Sequence, residues 1–371
     1  MSSPIRVALI GLSKNASASW AARAHLPYLL SPRGQEKYLI VALLNRSVDS
    51  AKAAIKAFDL PSSVKAYGSP EDLAKDPDID LVVACTRVDT HYETALPALQ
   101  AGKNVFIEWP VAQNAEKVKE LANIAKNRRA RNIVDIQGRK SAVALKLREV
   151  IEKGTIGKVL NVEARIASPG SKRDAVPDSL DYFVNKEVGG NPITIAYAHT
   201  LDPVFDIVGR PQDLHFNSQI RRRLKKVGDR EVKSDVPDYI AFSGRLPASP
   251  HVADGAIFSS TFRSSPLFPS EQAYTLYIDG TLGEIRITTN PVSFWTFAEE
   301  VRIDVHDYAT DQVNQVEWEW EAWQKDLPPP ARATGALYEI YAQGKEVEEG
   351  VLGLQDAVGL HEIVDRFVGN A

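Results

Sequence analysis

Short, uninterrupted apolar runs alternate with helical patterns over the first 137 residues. The runs 5–10, 38–44 and 81–85 predict strands that are buried on both faces of a sheet. The segment 91–101, which follows the third run, carries apolar residues at helical spacing. Gly102 then ends the pattern as a helix C-cap does. Strands that alternate with helices predict a doubly wound parallel sheet with right-handed crossovers.

The pattern changes after residue 138, where strands follow one another with few helices between them. Several of these strands alternate apolar and polar residues, which is typical of a sheet with one covered face. The predicted strands are 158–166, 214–220, 239–246, 256–262, 273–279, 283–288, 301–305 and 316–320, and the predicted helices are 142–153, 193–208 and 354–367. The sequence therefore predicts an α/β protein with an N-terminal Rossmann domain, 1–137. A second α/β domain, 138–371, should contain a large, mostly antiparallel open sheet.

Composition narrows the function classes. The chain has 371 residues, 44% hydrophobic and 25% charged, and a net charge of −4, so no nucleic-acid or anionic-membrane partner is expected. One cysteine cannot form an internal disulfide, so we expect an intracellular, cytoplasmic protein. No apolar run approaches the roughly 20 residues that span a bilayer. The N-terminus has no signal-peptide pattern. We also expect no metal site.

The loop after the first strand is a candidate phosphate-binding loop. Gly11 ends the strand and a helical segment follows, as at the start of a dinucleotide-binding unit. Only the first glycine of the G-x-G-x-x-G fingerprint is present, because Ser13 stands at the second position and the loop looks longer. Serine hydroxyl groups and the backbone N–H groups of serine and asparagine can still bind a pyrophosphate at a helix N-terminus. The alternative is an ordinary strand-to-helix loop.

The end of the second strand bears on the choice between NAD and NADP. An acidic residue at this position usually holds the ribose of NAD. Here the strand ends in Asn45, Arg46 and Ser47, so no carboxylate repels a 2′-phosphate, and the guanidinium can bind one. This favours NADP, with NAD possible. The alternative is that Arg46 is only a solvated charge.

Ligands in parallel sheets bind beyond the carboxyl ends of the strands. The strand 81–85 is followed by Thr86, Arg87 and His91, and the strand 105–107 is followed by Glu108 and Trp109. These residues are therefore candidates for a cofactor pocket. Arg87 can equally be a surface charge, and Glu108 can bond the backbone or a ribose.

The order of motifs resembles one known family. Glu-Trp-Pro at 108–110, Gly-Gly at 189–190, His-Thr-Leu-Asp at 199–202 and Gly-Thr-Leu-Gly at 280–283 are similar to the glucose–fructose oxidoreductase/inositol dehydrogenase (Gfo/Idh/MocA) family. The resemblance covers almost the whole chain. Within the family, it is strongest to the branch of the yeast galactose-pathway repressor and its fungal oxidoreductase-like relatives.

The resemblance implies a cofactor site, a substrate site and a partner. The second domain would bind the substrate and form the oligomer, a homodimer by default, and the substrate would be a small carbohydrate-like molecule. The implied cofactor-binding residues are Gly11, Leu12, Ser13, Ser19, Trp20, Asn45, Arg46, Ser47, Thr86, Arg87, His91, Glu108, Trp109 and Gln137. The implied substrate-binding residues are Trp109, Arg139, Lys140, Tyr182, His199 and Asp202, and the implied catalytic residues are His199 and Tyr197. We expect a cleft between the domains to bring Trp109, His91, Tyr182, His199 and Asp202 together.

Two departures from the family pattern concern the proton relay. Trp109 stands where active members have the lysine of Glu-Lys-Pro, and Ile195 stands where they have an aspartate four residues before the histidine. Removal of a hydroxyl proton still needs a base, and His199 is the strongest remaining candidate. Tyr197, Tyr182 and Lys140 are weaker ones. The indole of Trp109 can pack on a nicotinamide or a substrate ring but cannot act as a base.

Two hypotheses of function follow. In the first, which we favour, the chain is an NADP-dependent oxidoreductase that acts on a sugar-like or polyol-like hydroxyl or carbonyl with an altered proton relay. In the second, it is a catalytically silent dinucleotide-binding regulator that binds a protein partner. The loss of the family lysine and aspartate favours the second, whereas the presence of His199 and Asp202 favours the first.

Overall fold

The computed structural model describes residues 3–13, 19–168, 172–266, 268–290 and 300–369. The chain forms two compact units. The first comprises Met1–Gln137 and Glu321–Glu362, and the second comprises Gly138–Trp320 and Ile363–Ala371. The sequence pattern placed all of 138–371 in one domain. In the structure, Glu321–Glu362 belongs instead to the first unit.

Six strands form the sheet of the first unit: β1 (Ile5–Ile10), β2 (Tyr38–Leu44), β3 (Lys65–Tyr67), β4 (Leu81–Ala84), β5 (Asn104–Glu108) and β6 (Asn132–Asp135). Their order is β3-β2-β1-β4-β5-β6, and every neighbouring pair is parallel. All four residues of β4 are buried, as an uninterrupted apolar run predicts for a central strand. The predicted Rossmann sheet is confirmed.

Helices connect these strands. They are α1 (Leu26–Leu29), which continues a π-helix at Ala21–His25, α2 (Pro32–Gln35), α3 (Val48–Ala57), α4 (Pro70–Lys75), α5 (Val88–Gln100) and α6 (Ala115–Arg128). The side chains of Ser47, Ser69 and Asn114 each accept a hydrogen bond from an N–H in the first turn of α3, α4 and α6. These N-caps explain where the helices begin.

Two helices of the second unit and three helices of the C-terminal part of the chain complete the set of α-helices in the described residues. They are α7 (Ala142–Glu152), α8 (Ala198–Val208), α9 (Ala322–Lys325), α10 (Pro329–Gln343) and α11 (Leu354–Val368). The sequence pattern did not predict α10, which belongs to the first unit. The predicted helix 193–208 consists of a π-helix at Pro192–Tyr197 followed by α8.

An aromatic cluster fixes α10 on the first unit. Tyr338 stacks on Tyr28 with ring centroids 5.3 Å apart and meets Tyr38 and Phe106 at 5.1 and 4.8 Å. The Tyr38 hydroxyl donates to the Tyr338 carbonyl at 2.6 Å. Aromatic pairs of this kind contribute about 0.5–1.5 kcal/mol each beyond burial of their area. The late helix is therefore part of the N-terminal core.

The second unit contains a sheet of eight strands: β7 (Val159–Ala167), β9 (Gln212–Gln219), β12 (Tyr239–Arg245), β13 (Val252–Arg263), β14 (Tyr274–Gly280), β15 (Gly283–Thr289), β16 (Val301–Asp307) and β17 (Gln312–Val316). The order is β17-β16-β15-β14-β7-β13-β12-β9, with antiparallel neighbours except for the parallel pair β7 and β13. The predicted large, mostly antiparallel sheet is confirmed. The strand predicted at 316–320 lies earlier, at β17.

A second, small sheet organises the basic run 221–226. It consists of β8 (Ala175–Val176), β10 (Leu224–Val227) and β11 (Arg230–Lys233). The buried carboxylate of Asp238 accepts from the Arg221 backbone and guanidinium at 2.9 and 3.0 Å. The Lys225 ammonium lies 3.8 Å from the same carboxylate. Part of the basic run therefore has a structural role.

The contact between α1 and α10 generates a stability prediction. The buried Tyr28 hydroxyl donates to the Glu339 carboxylate at 2.7 Å. Tyr28→Phe should lower the free energy of unfolding by about 1.5–3 kcal/mol, the range for hydrogen bonds to charged groups. Urea denaturation followed by circular dichroism measures the change. Tyr308→Phe is the control, because its hydroxyl donates to Asp279 at 2.8 Å near the surface, where about 0.5 kcal/mol or less is expected. Equal losses in the two variants would contradict the prediction.

Candidate functional site

Gly11 allows the first strand to end close to β4. Its φ is +94°, and a Cβ at this position would lie 2.1 Å from the Cys85 carbonyl oxygen. Only glycine fits here without displacing backbone. The next residue, Leu12, is fully buried in the apolar core, so its side chain is unavailable to a ligand. This part of the loop offers backbone groups rather than side chains.

The rest of the candidate phosphate loop is described at its two ends. The Ser13 N–H lies 3.4 Å from the Ser19 hydroxyl oxygen, to which it donates. Residues 14–18, which complete the loop between Ser13 and Ser19, lie outside the described residues. Trp20 donates a hydrogen bond to the Glu108 carboxylate and packs against the apolar core. Trp20, which was expected to bind the cofactor, is thus tied to an internal group.

Three residues follow β2. Asn45 and Ser47 form hydrogen bonds within the protein, and Arg46 is an exposed cation. The Asn45 amide donates to the Leu12 carbonyl at 2.9 Å, which joins this strand end to the phosphate loop. The Ser47 hydroxyl accepts from the Ser50 N–H as the N-cap of α3. Arg46 is exposed between them. Ser47 is exposed as well, so Arg46 is distinguished from the other two residues by its positive charge.

His91 connects two strand ends through backbone groups. It is almost fully buried, with Nδ1 2.8 Å from the Pro110 carbonyl and Nε2 2.9 Å from the Thr86 carbonyl. Burial lowers the pKa of His91 from its ordinary value. The ring therefore holds the segments after β4 and β5 in place, which is a positioning role rather than the direct cofactor contact that the sequence suggested. Arg87 forms an exposed ion pair with Asp89 at 2.6 Å.

Trp109, at the position of the family lysine, packs against a histidine that the sequence analysis missed. Trp109 is 4% exposed, and its ring centroid lies 4.3 Å from that of His361 on α11. His361 Nε2 accepts from the Val111 N–H at 3.2 Å, and burial lowers the pKa of His361 to about 3. A neutral imidazole thus supports the indole. Helical spacing at 354–367 gave no signal for this contact.

A buried cluster of ionisable groups surrounds Glu108. His25 Nε2 lies 2.5 Å from Glu108 Oε1 and 3.6 Å from Asp135 Oδ2. His25 Nδ1 lies 2.8 Å from the Tyr338 hydroxyl, and Thr334 donates to Asp135 at 3.1 Å. Burial raises the pKa of Glu108 to about 8 and lowers the pKa of His25 to about 4. Glu108 is therefore engaged with internal groups, and its expected contact with a ribose stays a prediction.

Two of the expected substrate-binding residues, Arg139 and Asp202, form an ion-pair network in the second unit. The Arg139 guanidinium binds both carboxylate oxygens of Asp202 at 2.7 Å and reaches Asp206 at 3.0 Å. Asp202 is fully buried. Bidentate pairs of this geometry are rigid, and loss of one partner would leave a buried charge without compensation. Arg139 and Asp202 thus position α8, and their placement speaks against direct substrate contact.

His199 precedes Asp202 by one turn of α8. It is partly buried, and this burial lowers the pKa of His199 to about 4, against the opposing effect of the Asp202 charge. The imidazole is therefore neutral near pH 7 and can accept a proton. Its position on the same helix as the buried Asp202 gives it a fixed backbone.

Tyr197 lies in the core of the second unit. Its ring stacks on Phe262 at 4.8 Å, and its hydroxyl donates to the Ser260 oxygen at 2.8 Å. Complete burial raises the pKa of Tyr197 well above its ordinary value. A tyrosine in this setting cannot exchange a proton with a substrate, so its expected catalytic role is not supported by the structure.

The remaining candidates differ in exposure. Gln137 is buried, and its Oε1 accepts no hydrogen bond from the described residues. Lys140 is 9% exposed, and Tyr182 is partly exposed beside Phe183, with ring centroids 4.9 Å apart. His91 and Trp109 belong to the first unit, whereas Tyr182, His199 and Asp202 belong to the second. Their expected meeting in one cleft stays a prediction.

Comparisons with known proteins agree with the two-part architecture. Residues 5–136 match the family described as "Oxidoreductase family, NAD-binding Rossmann fold" (GFO_IDH_MocA), and residues 142–289 match "Gal80p, C-terminal domain". Dehydrogenase aclE of Aspergillus oryzae is 33% identical over 377 aligned positions, which cover 100% of this chain and 97% of the relative. None of the helices in the described ranges is long and apolar enough to cross a membrane.

Solved structures share the fold over the whole length. The crystal structure of a super-repressor mutant of Gal80p from Saccharomyces cerevisiae has a TM-score of 0.85 at 20% identity and covers 100% of this chain and 97% of that one. Levoglucosan dehydrogenase in complex with NADH and levoglucosan has a TM-score of 0.76 at 21% identity, with coverages of 100% and 97%. The full-length match to a dehydrogenase and the Rossmann-family match lead to one conclusion: the chain belongs to the Gfo/Idh/MocA family of NAD(P)-binding oxidoreductases.

Proposed function

We propose that the chain is an NADP-dependent oxidoreductase that transfers a hydride between the cofactor and a sugar-like or polyol-like substrate. The observation that carries the proposal is the end of β2, where Arg46 is exposed and no carboxylate is present. The dehydrogenase that is similar over the whole chain supports the enzyme assignment. The proposal includes a homodimer in the cytoplasm, and sedimentation of the purified chain checks the oligomeric state.

The residues present fit a dinucleotide. Gly11 lets β1 end close to the Cys85 carbonyl, and Asn45 holds the phosphate loop against the end of β2. In this proposal the backbone near Gly11 and Ser13 binds the pyrophosphate, Arg46 binds the 2′-phosphate, and His91 positions the segment that ends at Thr86. The nicotinamide, when bound, supplies the hydride acceptor or donor.

In this proposal His199 is the acid–base group. As a hydride leaves the substrate carbon, the hydroxyl must lose a proton, and a neutral imidazole can accept it. The family's ammonium is replaced by the buried Trp109, which excludes water instead of exchanging a proton. Arg139 keeps Asp202 paired, and this pairing lets the His199 ring stay neutral.

A second function has one specific observation in its favour. Trp109 is held against His361 at the position where active relatives have lysine, so no ammonium faces a substrate from this strand end. A chain that binds a dinucleotide without turnover would serve as a regulator that binds a protein partner. The fold similarity to Gal80p agrees with this alternative.

Arg46 provides the test of cofactor choice. Arg46→Ala should weaken NADPH binding by about 1.5–3 kcal/mol, because a charge-assisted hydrogen bond to phosphate is lost, and should leave NADH binding nearly unchanged. Fluorescence titration with each cofactor measures both affinities. Lys52→Ala, an exposed cation on α3, controls for the loss of one positive charge. An equal loss for NADPH and NADH would remove the assignment of Arg46.

His199 provides the test of the acid–base step. His199→Ala should lower turnover by roughly 10²–10⁴-fold, the range for general acid–base catalysis, with little change in NADPH affinity. Because its pKa is about 4, the base is present above that pH, so oxidation by the wild type should stay level through neutral pH and decline as pH falls toward 4. Turnover of His199→Ala at the wild-type rate would reject the role of His199.

The two functions are separated by restoring the family residues. A panel of sugars, polyols and aldehydes with NADP(H) is tested on the wild type, on Trp109→Lys and on Trp109→Lys with Ile195→Asp. Turnover by the wild type that is lost in Trp109→Lys supports a working, altered site. No turnover by the wild type, with activity gained in the double variant, supports the silent regulator. Circular dichroism checks that each variant is folded, since Trp109 is buried.

A further inference from the structure

Three donors of different chemistry converge inside the first unit. The imidazole of His25, the thiol of Cys85 and the carboxylate of Glu108 each offer one atom, and these atoms lie within 4.8 Å of one another. His25 ends the π-helix, Cys85 follows β4, and Glu108 ends β5. All three side chains are buried, so water does not compete for them. The parallel sheet brings the two strand residues to the same edge.

A fourth donor stands beside them. Asp135 ends β6, is fully buried, and places Oδ2 3.6 Å from His25 Nε2. Its other oxygen, Oδ1, takes part in no hydrogen bond with the described residues. A buried carboxylate oxygen without a donor is costly, and a cation is one of the few groups that can compensate it. This oxygen is an observation independent of the convergence of the other three.

We propose that His25, Cys85, Glu108 and Asp135 bind one divalent zinc-class ion in the core of the Rossmann unit. A set of one nitrogen, one sulfur and two oxygens suits Zn²⁺ or Co²⁺, whereas Mg²⁺ and Ca²⁺ prefer oxygen alone. Two carboxylates and a thiolate also supply the negative charge that a buried divalent ion needs. The proposal is independent of the proposed oxidoreductase function.

The donors have to shift to reach the geometry of a zinc site, because the atoms of His25, Cys85 and Glu108 lie within 4.8 Å of one another. Donors lie about 2.0–2.3 Å from a tetrahedral zinc ion and hence roughly 3.3–3.7 Å from one another. His25 Nε2 and Glu108 Oε1 are 2.5 Å apart, a contact that holds a proton between them. The ion replaces this proton, the proton of the Cys85 thiol and the proton of the Asp135 carboxyl, whose pKa is raised well above its ordinary value by burial. The side chains of His25 and Glu108 separate by less than about 1.5 Å. Tyr338 and Thr334 stay on the outer side of the cluster, where they orient His25 and Asp135.

Four protein ligands leave no position for a substrate, so the ion has a structural role. It joins the ends of β4, β5 and β6 to the first helical segment, directly beside the strand end that carries Trp109. No metal was expected from the sequence, and the donors at 25, 85, 108 and 135 share no short motif. Their positions at successive strand ends are the signal that could have suggested the cluster.

Cobalt provides the test, because Cys85 is the one cysteine in the chain. The full-length protein is expressed in medium with Co²⁺, since a buried site is loaded during folding, and its ultraviolet and visible spectra are recorded. A thiolate-to-cobalt charge-transfer band with tetrahedral d–d bands, and one cobalt per chain by elemental analysis, are expected. Absence of the band and of bound cobalt in the folded wild type overturns the proposal without any variant.

Variants locate the ion. Cys85→Ser should abolish the charge-transfer band, and His25→Gln should reduce bound cobalt at least about tenfold, the scale of losing a ligand or its support. His361→Gln is the matched control, a buried histidine of the same unit outside the cluster, and should bind cobalt as the wild type does. Equal cobalt content in the wild type and the folded Cys85→Ser protein would place the ion elsewhere and overturn the proposal. NADPH binding is measured in parallel and reports on the oxidoreductase proposal separately.

Discussion

The burial of ionisable groups at the carboxyl edge of a parallel sheet is the constraint on which the first unit depends. Because β4, β5 and β6 run in the same direction, Cys85, Glu108 and Asp135 meet at one edge, although they are far apart in the sequence. Polar groups in an apolar core are tolerated only when they are compensated. The partners come from His25 at one end of the chain and from Thr334 and Tyr338 on α10 at the other. The sheet, the first helical segment and α10 are therefore one energetic unit.

The hydrophobic pattern was sufficient to predict the two large sheets but not the small sheet of β8, β10 and β11. Buried parallel strands are recognisable as apolar runs, and half-covered antiparallel strands are recognisable by alternation, so β1–β6 and most of the second sheet could be located. Helix α10 was missed because its residues face an aromatic core that is assembled from strands far away in the sequence. No local sequence pattern indicates that Tyr28, Tyr38 and Tyr338 are in contact.

Individual site residues were harder to predict than the fold, for a physical reason. A residue type and a strand-end position show that a side chain is near a possible pocket, but not which neighbour it contacts. His91 binds backbone carbonyls, Arg139 binds Asp202, and Tyr197 binds Ser260, and each of these partners is tens of residues away or is a main-chain group. The sequence therefore pointed to the carboxyl edge of the Rossmann sheet, whereas the contacts of His25, Asp135 and His361 were found only in the structure.

The path of the chain has a consequence for how the protein is made. The first unit contains Met1–Gln137 but also Glu321–Glu362, so its sheet emerges from the ribosome long before α10 is synthesised. Until then the rings of Tyr28, Tyr38 and Phe106 lack Tyr338, and the His25 ring lacks one of its partners. The segment 138–320, which makes up most of the second unit, can be completed while the first unit still lacks α10. A chaperone that shields aromatic surface would then act on the N-terminal sheet during synthesis, and a fragment that ends at residue 137 would keep that surface permanently open.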